Sequence, residues 1–470
     1  MPDMQGYLNG LLSRVKSAAG VMAWPGRVYV LASNDLEAYC TAAGNVYVSV
    51  GWLNSAESED EIAALLAHEF GHVYLDYHQL ESASLTADQL AMLTIVGILL
   101  ARTVTKSNAN SAAWGAAETA LVSYVLGKRL LVPAWGRQQE ENADRFGATV
   151  SMRLGYSFTQ GFKAFLERQA TWEQQNDERR DAERQRALEQ VMQAAADQAR
   201  EKSKVKGDDV ISGAMRDIEA SLEAGRAGLV QNLSDGVNYL LGRAGDAHPS
   251  STTRLDSLTE QVAPLLAGKP RPRPQVEAWN RVRLQPRTAA ILKNYQLVVE
   301  AQLALRHGDL ARARKFAQQA ASGPTAHQAL PLLTLSVTEA SAAGNTSIAL
   351  RANMMLDRNL RSEPDRAWAT YVMRANGLLG AGQGKQATQV MNEGFGYFVD
   401  APAAWPDAIR FYGLAGDWTR AKQLASVCGA RYPAYRGICS SAAMTPSELA
   451  EEKRQTEENS TKLMDRLFKR

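Results

Sequence analysis

Residues 58–78 read SEDEIAALLAHEFGHVYLDYH, and the spacing of their apolar residues predicts one continuous helix. Ser58 and Glu61 stand where a capping box would start this helix. The apolar residues recur every three or four positions and form a stripe that is expected to face the core. This stripe comprises Ile62, Leu66, Phe70, Val73 and Tyr77. His68 and His72 therefore lie together on the other face, one turn apart.

The segment HEFGH at 68–72 is an HExxH motif, in a chain that has only six histidines. Imidazoles at positions i and i+4 of a helix can both bind one zinc ion at about 2.0–2.1 Å, with Glu69 held beside the metal. The alternative is two histidines on a solvated helix face, but the capped amphipathic helix around the motif favours a metal. The sequence therefore predicts one Zn²⁺ per chain.

A catalytic zinc needs a third protein ligand and one open position for water. Glu140 and Asp144, in the helical segment EENAD at 140–144, share a helix face one turn apart. We expect Glu140 to complete the metal shell, and Asp144 to accept a hydrogen bond from a ligand histidine. Ala143 and Gly147 are small enough to let this helix lie close against the HExxH helix. The alternative for these carboxylates is an acidic surface patch.

Two segments ahead of the HExxH helix have the composition of strands. They are Arg27–Ser33, which reads RVYVLAS, and Asn45–Val50, which reads NVYVSV. Residues 4–18 have helical periodicity, and helical patterns dominate the rest of the first half. The expected fold class is mainly α, with a small sheet in the first domain.

Glycines recur in the gaps between helical segments from about residue 288 onward, at spacings of 36, 38 and 34 residues. They are Gly308, Gly344, Gly382 and Gly416, and each is followed five positions later by an alanine, namely Ala313, Ala349, Ala387 and Ala421. Prolines at 324, 364, 402 and 433 close the units. This pattern resembles the tetratricopeptide helix-turn-helix repeat of about 34 residues and predicts an α-helical solenoid.

Composition shifts mark the expected domain boundaries. Residues 172–206 carry many charges of both signs, which predicts a solvated helical arm within an insertion at about 172–240. The stretch GKPRPRP at 268–274 predicts a stiff linker. We therefore expect a first domain at 1–267, a proline-rich linker at 268–275, a repeat domain at 276–445 and a charged helix or tail at 446–470.

Three motifs resemble those of the gluzincin metallopeptidases of family M48: HEFGH at 68–72, EENAD at 140–144 and HPSSTTR at 248–254. GNVYVSVGWL at 44–53 and RLGYSF at 153–158 are similar to the family's strand before the motif helix and to its Gly-Tyr turn. The resemblance covers residues 1–260, and a trailing tetratricopeptide domain is similar to one branch of the family. It implies a zincin-type α+β metallopeptidase domain followed by a helical repeat solenoid.

The resemblance also implies roles for particular residues. His68, His72 and Glu140 would be zinc ligands, Glu69 the general base, and Asp144 a hydrogen-bond partner of a ligand. His248 and Arg254 would form the far wall of the catalytic site. Two roles stay open for His248: it could donate a hydrogen bond to the oxyanion, or it could occupy the open metal position as a latch.

The expected activity is zinc-dependent hydrolysis of peptide bonds in misfolded or envelope proteins, with the repeats docking substrate or a partner protein. We expect Val46–Val50 to be a sheet edge that pairs with an extended substrate, through Val46, Tyr47, Val48 and Ser49. The alternative is a chaperone or assembly factor for membrane proteins, which would grip clients with the solenoid and keep a latched or weakly active zinc site.

The formal net charge is only +2, which argues against nucleic acid as a partner. No secretory leader is present, so we expect a periplasmic or cell-envelope protein without its leader, or a cytoplasmic one if the chain is full length. The apolar runs within 90–127 are too short to span a bilayer; they predict either peripheral membrane contact or a buried core hairpin. Cys428 and Cys439 either form a disulfide in an oxidising compartment or are separate buried thiols.

Overall fold

The computed structural model describes residues 1–41, 43–75, 137–175, 251–268, 271–341, 353–448 and 451 of the 470-residue chain. The elements of the first part of the chain are α1 (Pro2–Ala18), β1 (Val28–Leu31), β2 (Ala38–Cys40), β3 (Val46–Ser49), α2 (Val50–Ser55), α3 (Glu59–Leu75), α4 (Arg137–Arg153) and α5 (Ser251–Leu266). A π-helical turn at Thr159–Lys163 leads into helical residues 164–175. Helices thus surround a small sheet, as the sequence predicts.

The sheet has three strands in the order β1-β3-β2. β1 runs parallel to β3, with Val28 opposite Val46, and β2 runs antiparallel to β3, with Tyr39 opposite Tyr47. Because β3 has a partner on each side, the expectation that Val46, Tyr47, Val48 and Ser49 form an open sheet edge is wrong. The three-residue strand β2 occupies the position assigned to substrate, and the sequence analysis did not predict this strand.

The HExxH helix α3 is buried around its whole circumference. Every residue from Glu59 to Val73 is buried, including the predicted stripe as far as Val73. Tyr77 lies outside the described residues. Ser58 caps the helix as predicted, because its hydroxyl oxygen accepts a hydrogen bond from the Glu61 N–H at 3.3 Å. The Glu61 carboxylate, however, accepts from the Glu57 N–H at 3.1 Å. α3 is therefore a central rod of the fold.

The second part of the chain is helical throughout its described residues. Its helices are α6 (Val276–Arg283), α7 (Pro286–Arg306), α8 (Leu310–Ala320), α9 (Ala329–Ser341), α10 (Asp357–Arg361), α11 (Trp368–Gly380), α12 (Gly384–Tyr397), α13 (Ala404–Leu414), α14 (Trp418–Arg431) and α15 (Arg436–Ala442). Three short 3₁₀ turns, at Gly323–Thr325, Glu363–Asp365 and Pro433–Tyr435, contain predicted repeat-closing prolines.

Three pairs of consecutive helices follow the predicted repeat pattern: α7 with α8, α11 with α12, and α13 with α14. Gly308, Gly382 and Gly416 lie in the turns between the paired helices and have positive φ angles of 75°, 75° and 86°. The alanines at 313, 387 and 421 are fully buried in the second helix of each pair. The fourth glycine and alanine, at 344 and 349, lie outside the described residues. Assignment of these pairs to the tetratricopeptide family stays a prediction.

The hydrophobic core continues across the proline-rich stretch. Trp279 of α6 and Ile291, Leu292 and Tyr295 of α7 belong to the same buried cluster as α1, the sheet and α3. The Trp279 indole N–H donates a hydrogen bond of 2.9 Å to the carbonyl oxygen of Ala56. The boundary predicted at 268–275 therefore does not separate two cores. Prolines interrupt helices, but they do not prevent the apolar residues that follow from packing onto the preceding unit.

Cys428 and Cys439 form a disulfide between α14 and α15, which selects the first of the two alternatives drawn from the sequence. Among the described residues, no helix is both long enough and apolar enough to cross a bilayer. The apolar runs within 90–127, the insertion beyond residue 175, His248 and most of the tail lie outside the described residues.

Candidate metal centre

The crossing of α3 and α4 brings the predicted ligands together. α3 carries His68 and His72, α4 carries Glu140, and all three side chains are buried. A Cβ atom added at Gly147 would lie 2.9 Å from the backbone nitrogen of His68, closer than packed atoms approach. A Cβ atom on Gly71 would lie 3.2 Å from the Cα of Ala143. Small residues on both helices therefore allow the close approach, as predicted for Ala143 and Gly147.

The ligand atoms of these three residues converge on one point. His68 Nε2 and His72 Nε2 are 3.2 Å apart, and His72 Nε2 lies 3.2 Å from Glu140 Oε1. His68 Nε2 lies 3.6 Å from Glu140 Oε2. Two ligands of a tetrahedral zinc, each bound at about 2.0–2.1 Å, lie about 3.4 Å apart. The cluster His68, His72 and Glu140 therefore fits a metal ion of this size.

Asp144 orients the first histidine. Its Oδ1 lies 2.9 Å from His68 Nδ1, on the side of the ring that faces away from the other ligands. When Nδ1–H donates to this carboxylate, Nε2 keeps its lone pair and points it into the cluster. The structure thus places Asp144 where the sequence analysis expected a hydrogen-bond partner of a metal ligand.

Arg254 lies behind the carboxylates. Its Nε donates to Asp144 Oδ2 at 2.8 Å, its Nη2 to Asp144 Oδ1 at 2.6 Å, and its Nη1 lies 3.0 Å from Glu140 Oε2. The resemblance implied that Arg254 would form the far wall of the site. The structure corrects this position, because every nitrogen of the buried guanidinium faces a carboxylate of α4. A sequence motif identifies such a residue but does not fix the direction of its side chain.

The charges of this group determine its protonation states. Burial lowers the pKa of His68, with the Arg254 charge acting in the same direction, and this favours the neutral imidazole that binds metals. Burial alone would raise the pKa of Asp144, but the charge and hydrogen bonds of Arg254 and the bond from His68 hold it below its ordinary value. Asp144 and Glu140 in turn raise the pKa of Arg254, although burial opposes this. Asp144 is therefore ionised at neutral pH.

Glu69 is buried on α3, adjacent in sequence to the first ligand. Its Oε2 atom has no hydrogen-bond partner among the described residues. An unpaired buried carboxylate oxygen is costly, so its presence indicates a group that acts on a ligand or a water molecule. His248, the other predicted catalytic side chain, lies outside the described residues.

Sequence comparison was made with known families and proteins. The sequence profile described as peptidase family M48 matches residues 2–262, more than half of the chain. A beta-barrel assembly-enhancing protease of Yersinia pestis is 27% identical over 169 residues, which cover 36% of this chain and 33% of that protein. The protein of the same name from Escherichia coli K12 is 27% identical over 167 residues, with the same two shares. The match therefore spans about a third of the length of these curated relatives.

Proposed function

This chain belongs to peptidase family M48, and we propose that it is a zinc-dependent endopeptidase whose metal is held by His68, His72 and Glu140. The observation that carries the proposal is the buried convergence of two imidazole nitrogens 3.2 Å apart with a carboxylate oxygen 3.2 Å from one of them. Three protein ligands leave a fourth position for water, which is the arrangement of catalytic rather than structural zinc.

The residues of the chain have separate tasks in this reaction. A zinc ion at this position supplies a Lewis acid that lowers the pKa of water and polarises the scissile carbonyl. Glu69, through its unpaired oxygen, accepts the proton of the attacking water and passes it to the leaving amine. Asp144 keeps the His68 ring in the ligand tautomer, and Arg254 fixes the carboxylates of Asp144 and Glu140. No acyl-enzyme forms, because the nucleophile is water.

The sheet supplies an edge for an extended substrate, although it is not the edge predicted from the sequence. β2 pairs only with β3 among the described strands, and it lies against α3. Its outer backbone groups are therefore available to pair with a peptide, and such pairing gives affinity with little sequence preference. We infer that Ala38–Cys40 takes the substrate-pairing role first assigned to Val46–Ser49.

We propose that the substrates are misfolded or incompletely assembled proteins of the cell envelope. Two observations support this location: the relatives are named for β-barrel assembly, and the Cys428–Cys439 disulfide is of a kind that persists in oxidising compartments. The paired helices from α7 onward would dock the substrate or a partner protein as a tetratricopeptide solenoid. These roles extend from about a third of the relatives' length to the whole chain, and they stand as proposals.

The test compares metal content and casein cleavage in the full chain. We expect Glu69→Gln to keep one zinc per chain and to lose cleavage by at least about 100-fold, because the side chain acts on water rather than on the metal. Glu140→Ala is expected to lose zinc. Glu277→Gln, an exposed change of the same charge on α6, serves as the control. Cleavage by Glu69→Gln at the wild-type rate would refute the peptidase and favour the chaperone alternative.

The same assay separates the two roles of His248. His248→Ala lowers cleavage if the side chain stabilises the oxyanion, and it raises basal cleavage if the side chain is a latch. We propose the latch, because a protease with a client-binding solenoid needs restraint in the absence of a client. An unchanged rate would remove His248 from the site.

A further inference from the structure

The first turn of α3 buries three consecutive carboxylates, Glu59, Asp60 and Glu61, each less than 5% exposed. Removing even one carboxylate from water is costly unless partners replace the lost hydrogen bonds. The position of these carboxylates at a helix N-terminus offsets part of that cost. The remainder requires partners, and each of the three side chains finds them on a different part of the fold.

Glu59 and Glu61 bind within the metallopeptidase part of the chain. Glu59 accepts hydrogen bonds from the hydroxyl groups of Tyr7 and Tyr156 and from the Arg14 guanidinium at 2.6 Å. Glu61 accepts two from Arg168, at 2.7 and 3.1 Å. These two carboxylates therefore fix α3 to α1, to the turn after α4 and to helical residues 164–175.

Asp60 connects α3 to the second part of the chain. Its Oδ1 accepts a hydrogen bond from the Ser157 N–H at 2.8 Å, and its Oδ2 accepts one from the Gln275 N–H at 2.6 Å. The carbonyl of Gln275 in turn accepts from the Glu59 N–H at 3.2 Å. Gln275 is the N-cap of α6, so two hydrogen bonds join the start of α6 to the start of the HExxH helix.

The helices on either side of this connection are rigid. Asp60 precedes His68 by eight residues, which is about 12 Å along the axis of α3 at about 1.5 Å per residue. A shift at the first turn of α3 therefore moves His68, Glu69 and His72 together. On the other side, α6 contacts α7, the first helix of the paired-helix region.

We propose that Asp60 is a positioning residue that couples the C-terminal helices to the metal centre. Asp60 acts through α3 and touches no reacting atom. When a protein bound to the paired helices moves α6, the Asp60–Gln275 connection transmits the movement to the ligands and to Glu69. The assignment rests on the proposed function, because it takes α3 as the helix that carries the catalytic machinery.

Two substitutions break the connection at opposite ends. Asp60→Asn keeps the shape of the side chain but replaces one acceptor oxygen by an NH₂ group, which cannot accept from both backbone N–H groups. Gln275→Pro removes the N–H donor itself and places ring carbons against Asp60. Gln275→Ala is the matched control, because it keeps the backbone N–H and changes only an exposed side chain.

A second control tests the burial of the carboxylates in general. Glu61→Gln weakens the bonds to Arg168, one residue away from Asp60, but leaves the connection to Gln275 in place. We expect this variant to lower the melting temperature without changing the metal centre.

The experiment measures the full-length variants after substitution of zinc by Co²⁺, whose visible absorption reports the arrangement of its ligands. We expect Asp60→Asn and Gln275→Pro to shift this spectrum, to weaken Co²⁺ retention against a chelator, and to lower kcat on casein by about 10- to 100-fold with little change in KM. Gln275→Ala and Glu61→Gln are expected to match the wild type in all three readouts.

The coupling is refuted if Asp60→Asn and Gln275→Pro leave spectrum, retention and kcat at wild-type values, or if Glu61→Gln changes them equally. The wild type in the same series tests the proposed function separately, since a wild type that binds no Co²⁺ contradicts the metal site itself. A wild type with normal metal binding and unaffected Asp60 variants contradicts the coupling alone.

Discussion

Among single residues, Arg254 has the most specific set of contacts in the site. Its planar guanidinium holds both oxygens of Asp144 at 2.6 and 2.8 Å and also reaches Glu140. Such a fork pairs with a carboxylate in a geometry that an ammonium group cannot reproduce. Asp144 in turn fixes His68, so one arginine controls the orientation of two ligands. The sequence motif indicated that Arg254 belongs to the site, but only the structure indicates what it does.

We therefore expect Arg254→Lys to keep the charge and to lower zinc affinity by about 10- to 100-fold, the usual effect of losing a group that orients metal ligands. Zinc retention measured by chelator competition tests this expectation. Arg168→Lys is the matched control, because Arg168 makes a similar two-point contact to Glu61 away from the cluster. Equal zinc affinity in Arg254→Lys and the wild type would show that the orientation of Asp144 does not depend on the guanidinium.

At the scale of elements, the crossing of α3 and α4 sets the geometry of the centre. Gly147 faces His68 directly, and a methyl group there would also lie 2.7 Å from the ring of Phe162. We expect Gly147→Ala to separate the helices, to lower zinc affinity and to destabilise the fold by about 1–3 kcal/mol, as overpacking does. Chelator competition and urea unfolding measure the two effects. Gly6→Ala on α1, where no atom lies within 4 Å of the added carbon, is the control. Unchanged zinc affinity in Gly147→Ala would contradict the expectation.

The elements also separate what the sequence predicts from what it does not. Helix α3, its cap and the close crossing at Gly147 follow from local spacing and residue size, and these features were predicted. β2 was not, because three residues without clear alternation give no signal, and its absence made β3 appear to be an edge. The Asp60–Gln275 connection joins residues 215 positions apart through a backbone N–H, which any residue except proline provides, so side-chain identity could not indicate it.

For the whole molecule, the continuous core changes the expected division of labour. The proline-rich stretch suggests two pieces that fold separately, yet Trp279 is fully buried against the metallopeptidase part and donates to Ala56. Arg283 adds a second bond to the same carbonyl, at 3.0 Å. α6 and the first half of α7 are thus structural parts of the unit that holds the metal. The paired helices beyond them are joined to the site through packed core rather than through a flexible linker.

A chain cut after residue 268 is therefore expected to fold poorly or not at all. Loss of a buried tryptophan costs about 3–5 kcal/mol, a large share of the total of about 5–15 kcal/mol that stabilises a typical domain. The cut also removes Ile291, Leu292 and Tyr295 from the same core. A longer fragment, 1–322, keeps α6, α7 and α8 and serves as the control. Thermal unfolding followed by circular dichroism compares the two fragments: we expect a cooperative transition only in the longer one. A transition of equal midpoint in both would mean that the first 268 residues complete their own core.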